Sequence, residues 1–430
     1  MSTQKAIEIS YECLTPIYKE HAFSNATLNK TLKTTPSDCK PLVTKIVYGV
    51  LDKNIKLDYI IKLFAPQTKP ALFVLLKIGA FCILELSIPS AVVVNDCVNY
   101  AKKIGKAGVA NFVNAVLRNI AKAKEENSFE YPTEPLKCAS IQNSYPLWAL
   151  NKLKDYYGEE EAIKISDGND DTATCLRINT ALISVDEFKN KLVAKGLEFK
   201  QTCLDDAIKV YGDVTSLTAS GECTPMSLSS MLTVRALNVK PDSNVLDLCA
   251  APGGKSVYIA GLQPSAKIVA CDVYPHRLRL ISSYAKRMHA DNVTVEQNDA
   301  TEVNPAFFNK FDYVLLDAPC SGFGVVSSRP EIKMFRAEKD VDKLVEIQQK
   351  MLEIAKNYLK VGGVLLYSTC TVFAEENTLN VKNFLEHNDH FKLIPLDLPI
   401  KSDDGSLDLQ LLPHKHDTDG FYIAGLVKEK

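Results

Sequence analysis

The sequence predicts a multidomain protein with an all-α N-terminal domain, a small α/β domain, and a C-terminal α/β domain built on a doubly wound parallel sheet. Three observations carry this prediction. Apolar residues up to about position 125 recur at helical spacing, without the two-residue alternation of strands. A polar break follows, after which helix and strand patterns mix; from Val245 onward they alternate regularly, the signature of a parallel sheet covered by helices. A length of 430 residues suits two or three domains, and a hydrophobic content of 46% is ample for packed cores.

The first domain is assigned to residues 1–125. Val43, Ile46, Val47, Val50 and Leu51 fall on one helix face. Ala71 to Leu84 is apolar nearly all round, as expected of the central helix of a bundle; Lys77 interrupts it, and it is too short to span a bilayer. Ser87 with Pro89 opens another helix that Gly105 should stop. Phe112, Val113, Val116, Leu117 and Ile120 form the core stripe of the last one, leaving Lys102, Lys103, Lys106 and Arg118 for the surface. Residues 1–130 hold 17 basic against 11 acidic side chains, and the remainder 33 against 41. A basic first third beside an acidic remainder points modestly to a polyanionic partner, and a solvated lysine-rich surface explains it equally well.

Lys124 to Pro135 reads as a linker, and the second domain is assigned to residues 138–225. Pro146 to Tyr157 and Glu159 to Ser166 are expected to be helical, and Thr174 to Asn179 a strand. Ser184-Val-Asp-Glu187 is a capping box opening a helix that stops at Gly196.

The third domain, 226–430, is organised around Val245 to Ser256, VLDLCAAPGGKS. Val245, Leu246 and Leu248 suit a buried parallel strand. Pro252, Gly253 and Gly254 break it; glycines let the backbone approach a ligand, and the following helix offers its free amides. The spacing is neither the dinucleotide fingerprint nor the phosphate loop, which argues against a nicotinamide-type oxidoreductase. Later strands end in Asp272, in Asn298 and Asp299 just beyond Glu296, in Asp317-Ala-Pro-Cys320 and in Ser368-Thr-Cys370. Ligands of such sheets sit outside the carboxyl ends of the strands, where an acid at Asp272 would meet ribose hydroxyls.

The 12 cysteines include no C-x-x-C pair, so neither a zinc knuckle nor a redox dithiol is expected, and no metal. His414 and His416 are expected to be solvated. With no secretory signal and no membrane span evident, a cytoplasmic monomer is the expectation.

Three strings in order, DLCAAPGGKS, LLDAPCSGFGVV and YSTCTV, resemble the hallmark motifs of the RNA cytosine-C5 methyltransferases of the Nol1/Nop2/Sun group. VANFVNAVLR, residues 109–118, is similar to the NusB-like RNA-binding domain, and the resemblance covers essentially the whole chain. It implies a Rossmann-like class I methyltransferase domain, S-adenosylmethionine as cofactor and small-subunit ribosomal RNA as partner. It further implies Cys370 as the nucleophile, Cys320 as the thiol that assists release, and Asp317 at the cytosine edge. Cys249, Ala250, Ala251, Pro252, Gly253, Gly254 and Lys255 would hold the methionine end of the cofactor, Asp272 its ribose and Asp299 its adenine. The RNA would be met by the helical domain through Lys106 and Arg118, and by Arg329, Lys333 and Arg336 beyond the fourth strand. Transfer RNA or another ribosomal site, and a non-catalytic RNA-binding or antitermination factor, stay open as alternatives. Two departures stand out: Met226-Ser-Leu-Ser229 replaces a Gln-Asp/Glu-x-Ser segment, and Met334 a tryptophan.

Overall fold

Seven helices, Thr3–Glu20, Ser24–Thr34, Lys40–Asp52, Asn54–Phe64, Pro70–Glu85, Ser90–Lys103 and Ala110–Glu125, build the N-terminal bundle of the computed structural model, which describes residues 3–67, 70–104, 107–168, 171 and 173–430. Gly105 and Lys106, the expected helix stop and one expected RNA contact, lie outside the described residues. The apolar helix Pro70–Glu85 is central: it packs against five others, and Leu75, Leu76, Ile78 and Cys82 are fully buried. Lys77, the one basic residue in it, is buried as well. Its ammonium lies 2.6 Å from Asp58 Oδ1 and sits over the rings of Tyr18 and Phe73 at 4.5 and 4.9 Å. Burial lowers the amine's pKa and Asp58 opposes that shift, as expected of a desolvated cation kept charged by a partner.

The chain divides into two compact units, Met1–Gly168 with Val325–Arg336, and Asn169–Gly324 with Ala337–Lys430. The helices Pro135–Gln142, Leu147–Tyr157 and Glu159–Asp167 therefore belong to the helical unit, whereas the sequence pattern joins residues from 138 onward to the α/β domain. The physical reason is a set of contacts that periodicity does not reveal: the Lys56 amide donates to Ser144 Oγ (2.9 Å), and the Tyr59 ring stacks on Tyr131. Segment Val325–Arg336 enters the same unit. Lys333 Nζ donates to Asp52 Oδ1 (2.7 Å) and to its carbonyl (2.9 Å), Ser24 Oγ donates to Glu331, and Phe335 stacks on His21.

The second unit holds two sheets. In the smaller, strands β1 (Thr174–Ile178), β2 (Glu198–Gln201), β3 (Ala207–Tyr211) and β4 (Cys223–Pro225) pair antiparallel in the order β2-β3-β1-β4. The helix Val185–Ala194 covers it, opened by the expected capping box of Ser184 and Glu187. The larger sheet contains β5 (Asn244–Asp247), β6 (Lys267–Asp272), β7 (Val293–Gln297), β8 (Phe311–Asp317), β9 (Leu359–Thr369), β10 (Phe391–Ile394), β11 (Leu409–Leu411) and β12 (Phe421–Lys428). Its path is β10-β12-β9-β8-β5-β6-β7, with β11 against β12. The five strands read from the sequence run parallel, but β12 is antiparallel to β9 and β10, so the sheet is mixed. Phe421 to Leu426 is buried without interruption, and such a run carries no sign of its direction. No helix among the described residues is long and apolar enough to cross a membrane.

Removing Asp58 would leave the Lys77 ammonium buried with only Asn54 and two rings. Asp58→Ala is expected to cost about 3 kcal/mol, read as a lower urea midpoint in the fluorescence of Trp148, the sole tryptophan. A loss below about 1 kcal/mol would contradict the role given to this pair.

Candidate active site

The carboxyl end of β5 carries the glycine turn. Val245, Leu246 and Asp247 are all but fully buried. The chain then turns, with the Ala250 amide donating to Cys271 O (2.8 Å) and the Gly253 amide to Ala250 O (2.7 Å). Gly253 has φ of 109°, a conformation natural to glycine, and a Cβ there would meet the Ile281 backbone at 3.2 Å. Helix Gly254–Leu262 begins at this point.

A cavity of about 550 Å³ opens against this turn. Its wall includes Cys249, Ala250, Ala251, Pro252, Gly254, Lys255 and Asp317, which the motifs indicated. Asp272 and Asp299 are not in that wall. Asp272 is buried, paired with Arg277 at 3.2 Å and accepting the Tyr274 amide, whereas Asp299 is exposed and caps its own turn through Thr301. The wall also contains Asp247, Tyr284 and Arg287, which motif reading missed. Asp247 could have been found, because it ends its strand as Asp272 does. Met226 and Ser227, the departing residues, line the cavity too.

Asp247 is the distinctive group. It is 1% exposed; Ser256 Oγ donates to Oδ2 at 2.5 Å, and Oδ1 has no partner. Burial, with Asp317 adding to it, pushes its carboxyl up to about 7. An orphaned carboxylate oxygen at a cavity wall fits a ligand that brings a cationic or donor group. The α-amino group of S-adenosylmethionine is such a group, so the residues present fit that cofactor.

β8 and β9 are parallel neighbours with Asp317 opposite Ser368, and this register brings the two thiol loops together. Cys320 Sγ and Cys370 Sγ lie 3.3 Å apart, both half-buried. Asp317 Oδ2 pairs with Lys255 Nζ at 2.7 Å, and its Oδ1 accepts from Ser368 Oγ at 2.8 Å. Burial works against the Lys255 ammonium, but Asp317, Asp247 and Cys370 together hold its pKa above that of an ordinary lysine. The hydrogen bond with Cys370 and then burial push the Cys320 thiol well up. The loop after Cys320 also touches the partner's backbone: the Gly324 amide donates to Cys370 O at 3.0 Å, and a Cβ at Gly324 would lie 1.8 Å from Gly420 O.

The basic candidates fall elsewhere. Arg118 and Arg329 are exposed residues of the helical unit, as is Arg336. Lys333 is a correction: its amine is buried and engaged by Asp52, and burial lowers its pKa, so it presents no charge to a phosphate. His416 is half-buried, its ring nitrogen taking the Leu412 amide, rather than solvated. No group able to hold a metal ion occurs among the described residues.

The family model described as 16S rRNA methyltransferase RsmB/F matches residues 234–427. The NusB family model matches residues 4–122, and the Methyltr_RsmF/B-like ferredoxin-like domain matches residues 145–215. The chain is 34% identical to the probable ribosomal RNA small subunit methyltransferase B of Bacillus subtilis, over 98% of each chain. Among solved structures it is similar to PH0851, at 26% identity and a TM-score of 0.85 over 100% of this chain and 99% of the other. It is also similar to NSun6 from Pyrococcus horikoshii with SFG, at 25% identity and a TM-score of 0.62 over 67% of this chain and 99% of that one.

The raised carboxyl of Asp247 makes stability depend on pH. Its folded pKa of about 7 lies above the unfolded carboxylate range, so its contribution is present at low pH and lost as pH rises through 7. Between pH 5 and pH 8 the melting temperature of the ligand-free protein is expected to fall relative to that of Asp247→Asn. Parallel curves would show that the buried carboxyl does not titrate there.

Proposed function

Because this chain belongs to the 16S rRNA methyltransferase RsmB/F family, we propose that it methylates C5 of a cytosine in small-subunit ribosomal RNA, using S-adenosylmethionine and a covalent adduct between Cys370 and C6 of the base. The observation that carries this reading is the pair of thiols 3.3 Å apart, next to a carboxylate and ammonium that line the ligand cavity.

The chemistry requires two sulfurs. Cytosine C5 is a weak nucleophile, and thiolate addition to C6 turns it into an enamine carbon; covalent catalysis thus divides one hard step into easier ones. The cofactor supplies an electrophilic methyl group. Cys370 is the nucleophile, and the Lys255 ammonium is among the charges it interacts with. Asp317 meets the cytosine edge and helps place a proton on N3 as sulfur adds to C6. After methylation a base must take the C5 proton; the electron pair of that C–H bond re-forms the C5–C6 double bond, the Cys370 thiolate leaves, and N3 gives back the proton it gained.

Cys320 suits the role of that base. The largest influence holding its proton is the hydrogen bond to Cys370. Cys320 lies 3.3 Å from Cys370, within reach of the adduct, and would accept the C5 proton there.

The turn from Cys249 to Lys255 would hold the methionine end of the cofactor with Asp247 facing its amino group, Asp272 the ribose and Asp299 the adenine. Arg118 and Arg329, exposed on the helical unit, are the phosphate contacts carried forward, and the protein is taken to act as a monomer. The target base must be unstacked to reach such a site.

Cys370→Ala is expected to lose methyl transfer by on the order of 10³-fold or more and to form no covalent complex. Cys320→Ala, incubated with small-subunit ribosomal RNA and S-adenosylmethionine, is expected to give a protein–RNA band on a denaturing gel. A band from Cys370→Ala and none from Cys320→Ala would reverse the roles; no band from either, with an active parent, would sink the two-thiol reading.

A further inference from the structure

Glu376 lies six residues beyond Cys370 and is 0% exposed. A carboxylate is costly to bury, and for stability alone an apolar side chain of similar size would serve at least as well. This one is retained inside a set of donors drawn from two separate segments, the loop after Cys320 and a helix. The Ser321 amide donates to Oε1 at 2.8 Å and the Ser321 hydroxyl to Oε2 at 2.5 Å. Gln348, from helix Glu338–Ala355, donates one amide proton to Oε1 at 3.0 Å and the other to the carbonyl of Pro319 at 2.9 Å. Both residues flanking Cys320 are therefore tied to Glu376, one directly and one through a single amide.

The other side of the arrangement is the Cys370 loop. Ser321 has one hydroxyl proton; with that proton given to Glu376, its oxygen accepts from Thr371, 2.7 Å away and next to Cys370 in the chain. Tyr367 donates to the Glu376 carbonyl at 2.7 Å, and Asn380 donates both to Tyr367 and to Gln348 Oε1, which fixes the orientation of the Gln348 amide.

We propose that Glu376 is the positioning residue of the thiol pair: its carboxylate holds the loop of Cys320 against the loop of Cys370 and keeps the two sulfurs within reach of each other. This rests on the reading in which Cys320 completes the reaction. Glu376 also faces Cys320 electrostatically together with Cys370 and Asp317, and all three favour the protonated thiol; Tyr367 lies in the same group.

The test compares Glu376→Gln with the parent and with Cys320→Ala. Glutamine keeps the shape but cannot accept on both arms and carries no charge. Glu376→Gln is expected to retain the parent melting temperature within a few degrees and the KM for small-subunit ribosomal RNA within about twofold. Its kcat should fall by about ten- to a hundredfold, and a covalent protein–RNA band should accumulate although Cys320 is present. A fall in kcat with no accumulated adduct, while Cys320→Ala does accumulate one, overturns the positioning role and leaves the two-thiol reading standing. If Cys320→Ala gives no adduct, alkylation by iodoacetamide, followed by mass spectrometry of the Cys320 peptide without RNA, decides. Glu376→Gln is expected to move the pH profile of that alkylation downward, and an unmoved profile refutes the proposal. Should Glu376→Gln fail to fold, Ser321→Ala, which removes the hydroxyl donor alone, is read by the same adduct and alkylation assays with the same expected directions.

Discussion

Two parallel strands in one register set the geometry on which the site depends. Asp317 ends β8 directly opposite Ser368 near the end of β9, and the chain needs only three residues from the first and two from the second to reach the sulfurs. A slip of one residue would turn each side chain to the other face of the sheet and separate the pair. The register is held by burial on both faces, since Leu315, Leu316, Leu366 and Tyr367 are fully buried. It is also held at its end by the Ser368 hydroxyl on Asp317 and the Ala318 amide on Ser368 O. Next to it, β5 delivers the glycine turn and Lys255, so that three adjacent strand ends converge on one small volume.

The charges there follow from the same burial. Asp247, Asp317, Lys255 and the thiols share a poorly solvated space in which each ionisation is felt by its neighbours. The acids around Lys255 raise its pKa, and the hydrogen bond to Cys370 with burial raises that of Cys320. Behind the thiols the Glu376 carboxyl is hydrogen-bonded on both oxygens by Ser321 and Gln348, contacts that oppose the rise in its pKa caused by burial.

Much of this was legible in the residues. The helical domain, the capping box at Ser184, the parallel strands and the strand-end positions of Asp317, Cys320 and Cys370 follow from local pattern. What stayed hidden depends on contacts between distant segments. Lys333 looked like a surface base because nothing near it in sequence declares Asp52, 281 residues away, as its partner. The antiparallel β12 is a continuous apolar run whose direction no periodicity encodes. Asp247 passed as an ordinary strand end, and Glu376 as one of two adjacent acids in a turn, because burial and donor sets are properties of the folded chain.

The central claim is that this constellation places a methyl group on carbon 5 of cytosine in ribosomal RNA. The most direct measurement is to incubate the protein with small-subunit ribosomal RNA and S-adenosylmethionine carrying a tritiated methyl group, digest the RNA to nucleosides and separate them. The account predicts that the label elutes as 5-methylcytidine. Label in any other methylated nucleoside, or an RNA that stays unlabelled beside a folded, cofactor-binding protein, would contradict it.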